Sequence, residues 1–109
     1  MAGGIRIFIG YDPREAVAYN VLCHSINARA SAPVSITPVS LKQLGTLMWR
    51  DRHNLQSTDF SFSRFLTPYL CGFDGWALFM DCDMLVLDDM ANLWKLRDEK
   101  FAVQCVKHD

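Results

Sequence analysis

Trp76-Ala77-Leu78-Phe79-Met80-Asp81-Cys82-Asp83 decides the fold of this chain of 109 residues. Five apolar residues in a row, ending on acidic ones, read as a strand covered on both faces, as in the sheet of an α/β protein. Successive side chains on a strand point to opposite faces, so positions i and i+2 share one. If the extended backbone persists, Asp81 and Asp83 therefore emerge together at the carboxyl end of the strand, the edge at which open α/β sheets bind ligands. Two neighbouring carboxylates repel unless one is protonated or a cation lies between them. Oxygen ligands of this kind favour a hard divalent ion, Mn²⁺ or Mg²⁺.

Upstream, Ile5-Arg6-Ile7-Phe8-Ile9-Gly10 is short and β-branched, which predicts a first, largely buried strand. In Tyr11-Asp12-Pro13-Arg14-Glu15, Asp12 suits a helix cap, Pro13 the first turn, and Glu15 the return arm of a capping box. The helix is expected to run to about Ala30 with Val17, Val21, Leu22 and Ile26 inward. Val34 to Val39 follows as a second strand, and Pro38 points to an edge or a strand end. Together these form a β-α-β unit with a parallel connection.

Residues 41–56 lose periodicity and read as an irregular connection. A second helix is expected over about 59–70, interrupted or kinked at Pro68. Gly72-Phe73-Asp74-Gly75 turns into the decisive strand. Beyond it the pattern predicts a short strand over 84–87, a brief helix capped by Asp88 or Asp89 and ending near Leu96, and a last strand over 101–106. A strand so near the terminus leaves a sheet that would normally continue, with an edge open to association.

Composition narrows the classes. The length allows one domain, residues 1–109, and half the residues are apolar, enough for a modest core. A net charge of −1 gives no nucleic-acid footprint and no basic membrane surface. No apolar run approaches the ~20 residues of a bilayer crossing, and the first residues lack a signal-peptide pattern. Cys23, Cys71, Cys82 and Cys105 are scattered without metal-finger spacing, so reduced thiols and a cytoplasmic location are expected.

The order of these pieces resembles a family. A first strand closing on Gly-Tyr-Asp, a Ser-Arg-Phe-Leu-x-Pro-x-Leu helix, and Ala-Leu-Phe-Met-Asp-Cys-Asp-Met-Leu-Val-Leu-Asp-Asp are similar to the N-terminal, donor-binding half of GT-A glycosyltransferases of the family 8-like bacterial type. The resemblance implies a Rossmann-like, mostly parallel sheet flanked by helices, with the acceptor half absent. It implies transfer of a sugar from a nucleotide-diphosphate donor, a UDP-sugar, to an acceptor such as a glycan or lipopolysaccharide. Asp81 and Asp83 would hold the metal, and Cys82 would lie with them against the donor. Ile9, Gly10, Tyr11 and Asp12 would cradle base and ribose, and Arg64 would reach the nucleotide or its phosphates. The logic is electrostatic: a departing nucleoside diphosphate gains charge that a metal and a guanidinium stabilise. The third metal ligand of such enzymes, a His in their C-terminal half, has no counterpart here, and no catalytic base or nucleophile is assigned.

Two other readings stand beside this one. A non-catalytic fragment would bind a nucleotide or pair with another chain through the open edge. A haloacid dehalogenase-like phosphatase also uses a strand followed by Asp-x-Asp, but there the motif sits on the first strand, with a Thr or Val where Leu85 stands. Single residues have plainer explanations. Asp88 and Asp89 fit helix capping, Arg64 can lie over the core or pair with Asp59 or Asp74, His24 reads as packed or solvated, and Cys82 as packed. His53, in a charged loop, has the better claim among the histidines to a functional place.

Overall fold

The computed structural model describes residues 4–40, 68, 71–72 and 74–105. The element order is β1 (Ile5–Gly10), a 3₁₀ turn (Pro13–Glu15), α1 (Ala16–Arg29), β2 (Val34–Val39), β3 (Leu78–Asp81) and α2 (Met90–Trp94). The strands form a parallel sheet in the order β2-β1-β3, an α/β arrangement as the sequence predicts. The expected irregular connection and Arg64 lie outside the described residues. So does the helix expected over 59–70, except for Pro68, which is helical.

Register explains which side chains form the core. Ile7 is opposite Ile36 on β2 and Leu78 on β3, and Ile9 is opposite Met80, so these residues share one face. Ile5, Ile7 and Ile9 are buried there against Leu22 and Ile26 of α1, together with Met80, Cys82, Val86 and Met90. Burying each aliphatic side chain contributes roughly 1.5–3 kcal/mol. That gain binds α1 to the sheet. The inward face of α1 runs through Leu22, Ser25 and Ile26, which are three and four residues apart. Val17 and Val21, expected inward, are 78% and 50% exposed; at ~100° per residue, once Leu22 and Ile26 define the contact, Val21 falls on the flank and Val17 on the outer face.

Two further expectations are corrected. Residues 84–87 are not a strand, because Val86 is drawn onto α1: its N–H donates to Ser25 Oγ at 3.0 Å, and its side chain joins the core. A backbone donor committed to a helix side chain is not available to a sheet ladder. Residues 101–105 are not a strand either. They follow a chain of local bonds in which Gln104 accepts from the Asp98 N–H and donates to Leu96 O.

The remaining elements follow the sequence closely. Pro38 lies in β2, which is an edge strand of the described sheet, where a missing N–H costs no ladder bond if it faces outward. Asp89 caps α2, accepting from the Ala91 N–H at 2.9 Å, and its second oxygen accepts from the Ser31 N–H at 3.1 Å. Asp88 accepts from the Asp89 N–H and from Asn92. The turn before β3 uses positive φ at Gly72 and Gly75. Arg6, on β1, clamps it by donating to Trp76 O at 2.9 and 3.0 Å and to Asp74 O.

Candidate functional site

The carboxyl ends of all three strands fall on one line. Gly10 is in register with Val39 of β2 and with Asp81 of β3. Beyond it the Tyr11 N–H donates to Val39 O at 2.8 Å, which keeps β1 tied to β2 for one more residue. The chain leaves β1 towards β2 on one side, while β3 lies on the other. The carboxyl ends of β1 and β3 thus lie side by side, at the edge where open α/β sheets bind ligands.

Gly10 ends β1 and is buried, Tyr11 is half-buried just past it, and the Ile9 side chain belongs to the core. Tyr11 meets Tyr19 of α1 edge-to-face, with ring centroids 5.2 Å apart at 82°. Burial, then a hydrogen bond with Cys23, pushes the Tyr19 phenol up to about 12. Asp81 closes β3, half-buried, and Asp83 is exposed. The strand does not persist through Asp83, since residues 82 and 83 already bend. The shared face expected for the two carboxylates is therefore corrected: alternation holds only while the backbone stays extended.

Asp12 takes the capping role that the sequence predicts. It is buried and accepts from the Arg14 N–H at 3.0 Å, capping the 3₁₀ turn. Its carboxylate also pairs with the Arg14 guanidinium at 2.6 Å. The Glu15 carboxylate, expected as the return arm of a capping box, lies against the end of β3, and α1 begins only after the 3₁₀ turn. The Cys82 thiol donates to Glu15 Oε1 at 3.2 Å. Burial first, and then this bond, raise the thiol to about 11. Cys82 is thus a packed, protonated thiol, as its place between the carboxylates suggests, and its side chain belongs to the core.

Among the described residues, no group of three or more His, Cys, Asp or Glu side chains is placed to hold a metal ion. The expectation of a resident metal-binding centre is corrected accordingly. Asp81 and Asp83 are two carboxylates in different backbone settings. His24 is exposed on α1, and Arg64 and His53 lie outside the described residues. Sequence reasoning passed over Arg14, Arg6 and Ser25. The spacing Asp12-x-Arg14 was the available signal for the first. The other two act through contacts 61 to 70 residues distant in sequence, which no local pattern carries.

Comparison with known proteins corrects the family. Protein CDI of Arabidopsis thaliana is 56% identical over 107 residues, which are 95% of this chain and 41% of that protein. The chain thus spans about two fifths of the length of the relative it matches. No protein-family model matches, and no solved structure matches with significance. The expected membership among GT-A, family 8-like glycosyltransferases, and the sugar-transfer activity it implied, are therefore not sustained. The relative carries a different name, and no model of such enzymes matches. The misleading signal has a physical origin. A buried strand closing on carboxylates, a capped turn after the first strand and a second acidic cap are what the edge of many parallel sheets requires. They specify a place in a fold more strongly than a chemistry.

Proposed function

We propose that the edge formed by the carboxyl ends of β1 and β3 binds a nucleoside diphosphate accompanied by its own divalent cation. One observation supports this reading above the others: Gly10 and Asp81 are in register at the carboxyl ends of adjacent parallel strands, the edge at which open α/β sheets bind ligands. Gly10 and Tyr11 offer a backbone edge and an aromatic ring to the base and ribose. Asp81 offers a carboxylate to the cation, with exposed Asp83 two residues on. Mg²⁺ commonly uses one or two protein carboxylates and takes its remaining ligands from phosphates and water. A pair of carboxylates therefore suits a cation that arrives with the diphosphate, not one that resides in the protein.

Calorimetric titration of uridine diphosphate, with and without Mn²⁺, tests the proposal. Binding that requires Mn²⁺ and weakens tenfold or more in Asp81→Asn is the expected result. Absence of binding to the folded wild-type chain would overturn it, as would equal binding by wild type and Asp81→Asn.

A further inference from the structure

We propose that Arg14 is the phosphate-contacting residue of this site, an exposed guanidinium aimed by a buried carboxylate; this rests on the nucleotide reading above. The Asp12 side chain is 3% exposed and that of Arg14 is 70% exposed. Arg14 Nε donates to Asp12 Oδ1 at 3.0 Å and to Oδ2 at 3.2 Å, and Nη2 donates to Oδ2 at 2.6 Å. A guanidinium carries five N–H donors in a fixed plane. Asp12 engages the Nε–Nη2 side of that plane, which leaves the Nη1 side and the outer Nη2 proton directed away from it.

The position of this fork is set by a second contact. Glu15, the next residue, accepts from Cys82, which lies between Asp81 and Asp83 in the chain. The 3₁₀ turn is thereby held against the end of β3. The acidic side chains Asp81, Asp83 and Glu15 would by themselves repel a diphosphate, and Arg14 brings a cation to the same edge. Arginine is suited to that task because its planar donors match phosphate oxygens two at a time. Holding the plane in place before binding reduces the ordering cost on association.

The plainer role for Arg14 is to neutralise Asp12. The two roles differ in what they predict for Mn²⁺ alone and for Mn²⁺ with inorganic pyrophosphate. Affinities of both probes are measured for wild type, Arg14→Lys and Arg14→Gln, with thermal melting as a check on folding. The expected result is at least tenfold weaker pyrophosphate binding in Arg14→Gln, with Mn²⁺ alone bound equally or more tightly because a nearby cation has gone. Arg14→Lys keeps the charge beside Asp12 but loses the fork, and is expected to fall between the two. Pyrophosphate affinity unchanged in folded Arg14→Lys and Arg14→Gln would overturn the assignment. So would a parallel loss of both probes, which marks a structural role. A wild-type chain that binds neither probe overturns the nucleotide reading itself.

Discussion

The Cys82 thiol donates a 3.2 Å hydrogen bond to the Glu15 carboxylate, joining the turn after β1 to the end of β3 across 67 residues of sequence. It adds a side-chain tie beyond the last ladder pair, Gly10 with Asp81. It also leaves Cys82 among the fully buried side chains, with its proton held tightly.

That relationship predicts selective thiol chemistry. Burial, then the bond to Glu15, raise the Cys82 thiol from 9.0 to about 11. At pH 8 only about one thiol in a thousand is then ionised. An aromatic disulfide reagent should label exposed Cys105 promptly and Cys82 only on unfolding. Because the folded state binds this proton more tightly than the unfolded chain, the associated stability is present below pH 9. It is lost as pH rises from about 9 through about 11, by at most about 3 kcal/mol. Denaturant midpoints across that range, compared with Cys82→Ala, check the loss; Cys82 labelling in the folded protein at pH 8 as fast as Cys105 would contradict it.

Ser25 should be costly to remove although it is only a hydroxyl. It donates to Leu22 O at 2.8 Å and accepts from the Val86 N–H at 3.0 Å, both in the interior. Ser25→Ala leaves the Val86 donor without its partner, at a cost of about 1–3 kcal/mol. Urea unfolding measures it, and Val17→Ser, at an exposed position of the same helix, should change the midpoint little.

Asp89 joins the start of α2 to the segment after α1. Its carboxyl is held below the ordinary value of 3.8, first by a hydrogen bond from the Ser31 side chain and then by that from the Ala91 N–H. A depressed carboxylate stabilises above its unfolded pKa and ceases to do so as pH falls through the folded one. Asp89→Ala should lower the melting temperature at pH 7 by on the order of 5 °C, and the difference from wild type should shrink below pH 4. An Asp89→Ala protein melting with wild type at pH 7 would rule the cap out as a stabilising contact.

Gly72 and Gly75 separate backbone strain from crowding. Both have positive φ, 68° and 72°. A Cβ at Gly72 meets nothing within 4 Å, whereas one at Gly75 comes to 2.9 Å from Arg6 Nη2. Gly72→Ala should cost about 1–2 kcal/mol from the backbone alone. Gly75→Ala should cost more, since it also disturbs the clamp on Trp76 and Asp74. Equal losses in chemical denaturation would show that the Arg6 clamp contributes little.

The local elements were legible because their causes are local. β-branched Ile5, Ile7 and Ile9 favour a strand, Asp12-Pro13 starts a helical turn, Asp89 caps α2, and Pro38 marks an edge strand; neighbours in sequence supply each of these effects. The α/β class follows from their alternation. Val17 and Val21 were misplaced because helical spacing alone does not say which of two adjoining apolar stripes will meet the sheet. Residues 84–87 were misread because their apolar composition suits a strand, while the partner that claims the Val86 N–H lies 61 residues away.

The site divides along the same line. Its materials, Gly10, Tyr11, Asp12, Asp81 and Asp83, stand out in the sequence because acidic residues directly after apolar strands are conspicuous. Their arrangement was settled by contacts between segments distant in the chain: the register of Gly10 with Asp81, the bend that parts Asp83 from Asp81, the turn of Glu15 towards Cys82 and the choice of β1 as central strand. Chemistry written into residue types is local and can be read in order along the chain. Which carboxylate is buried, which is paired and which faces solvent depends on strand pairing and helix packing, and those are properties of the whole fold.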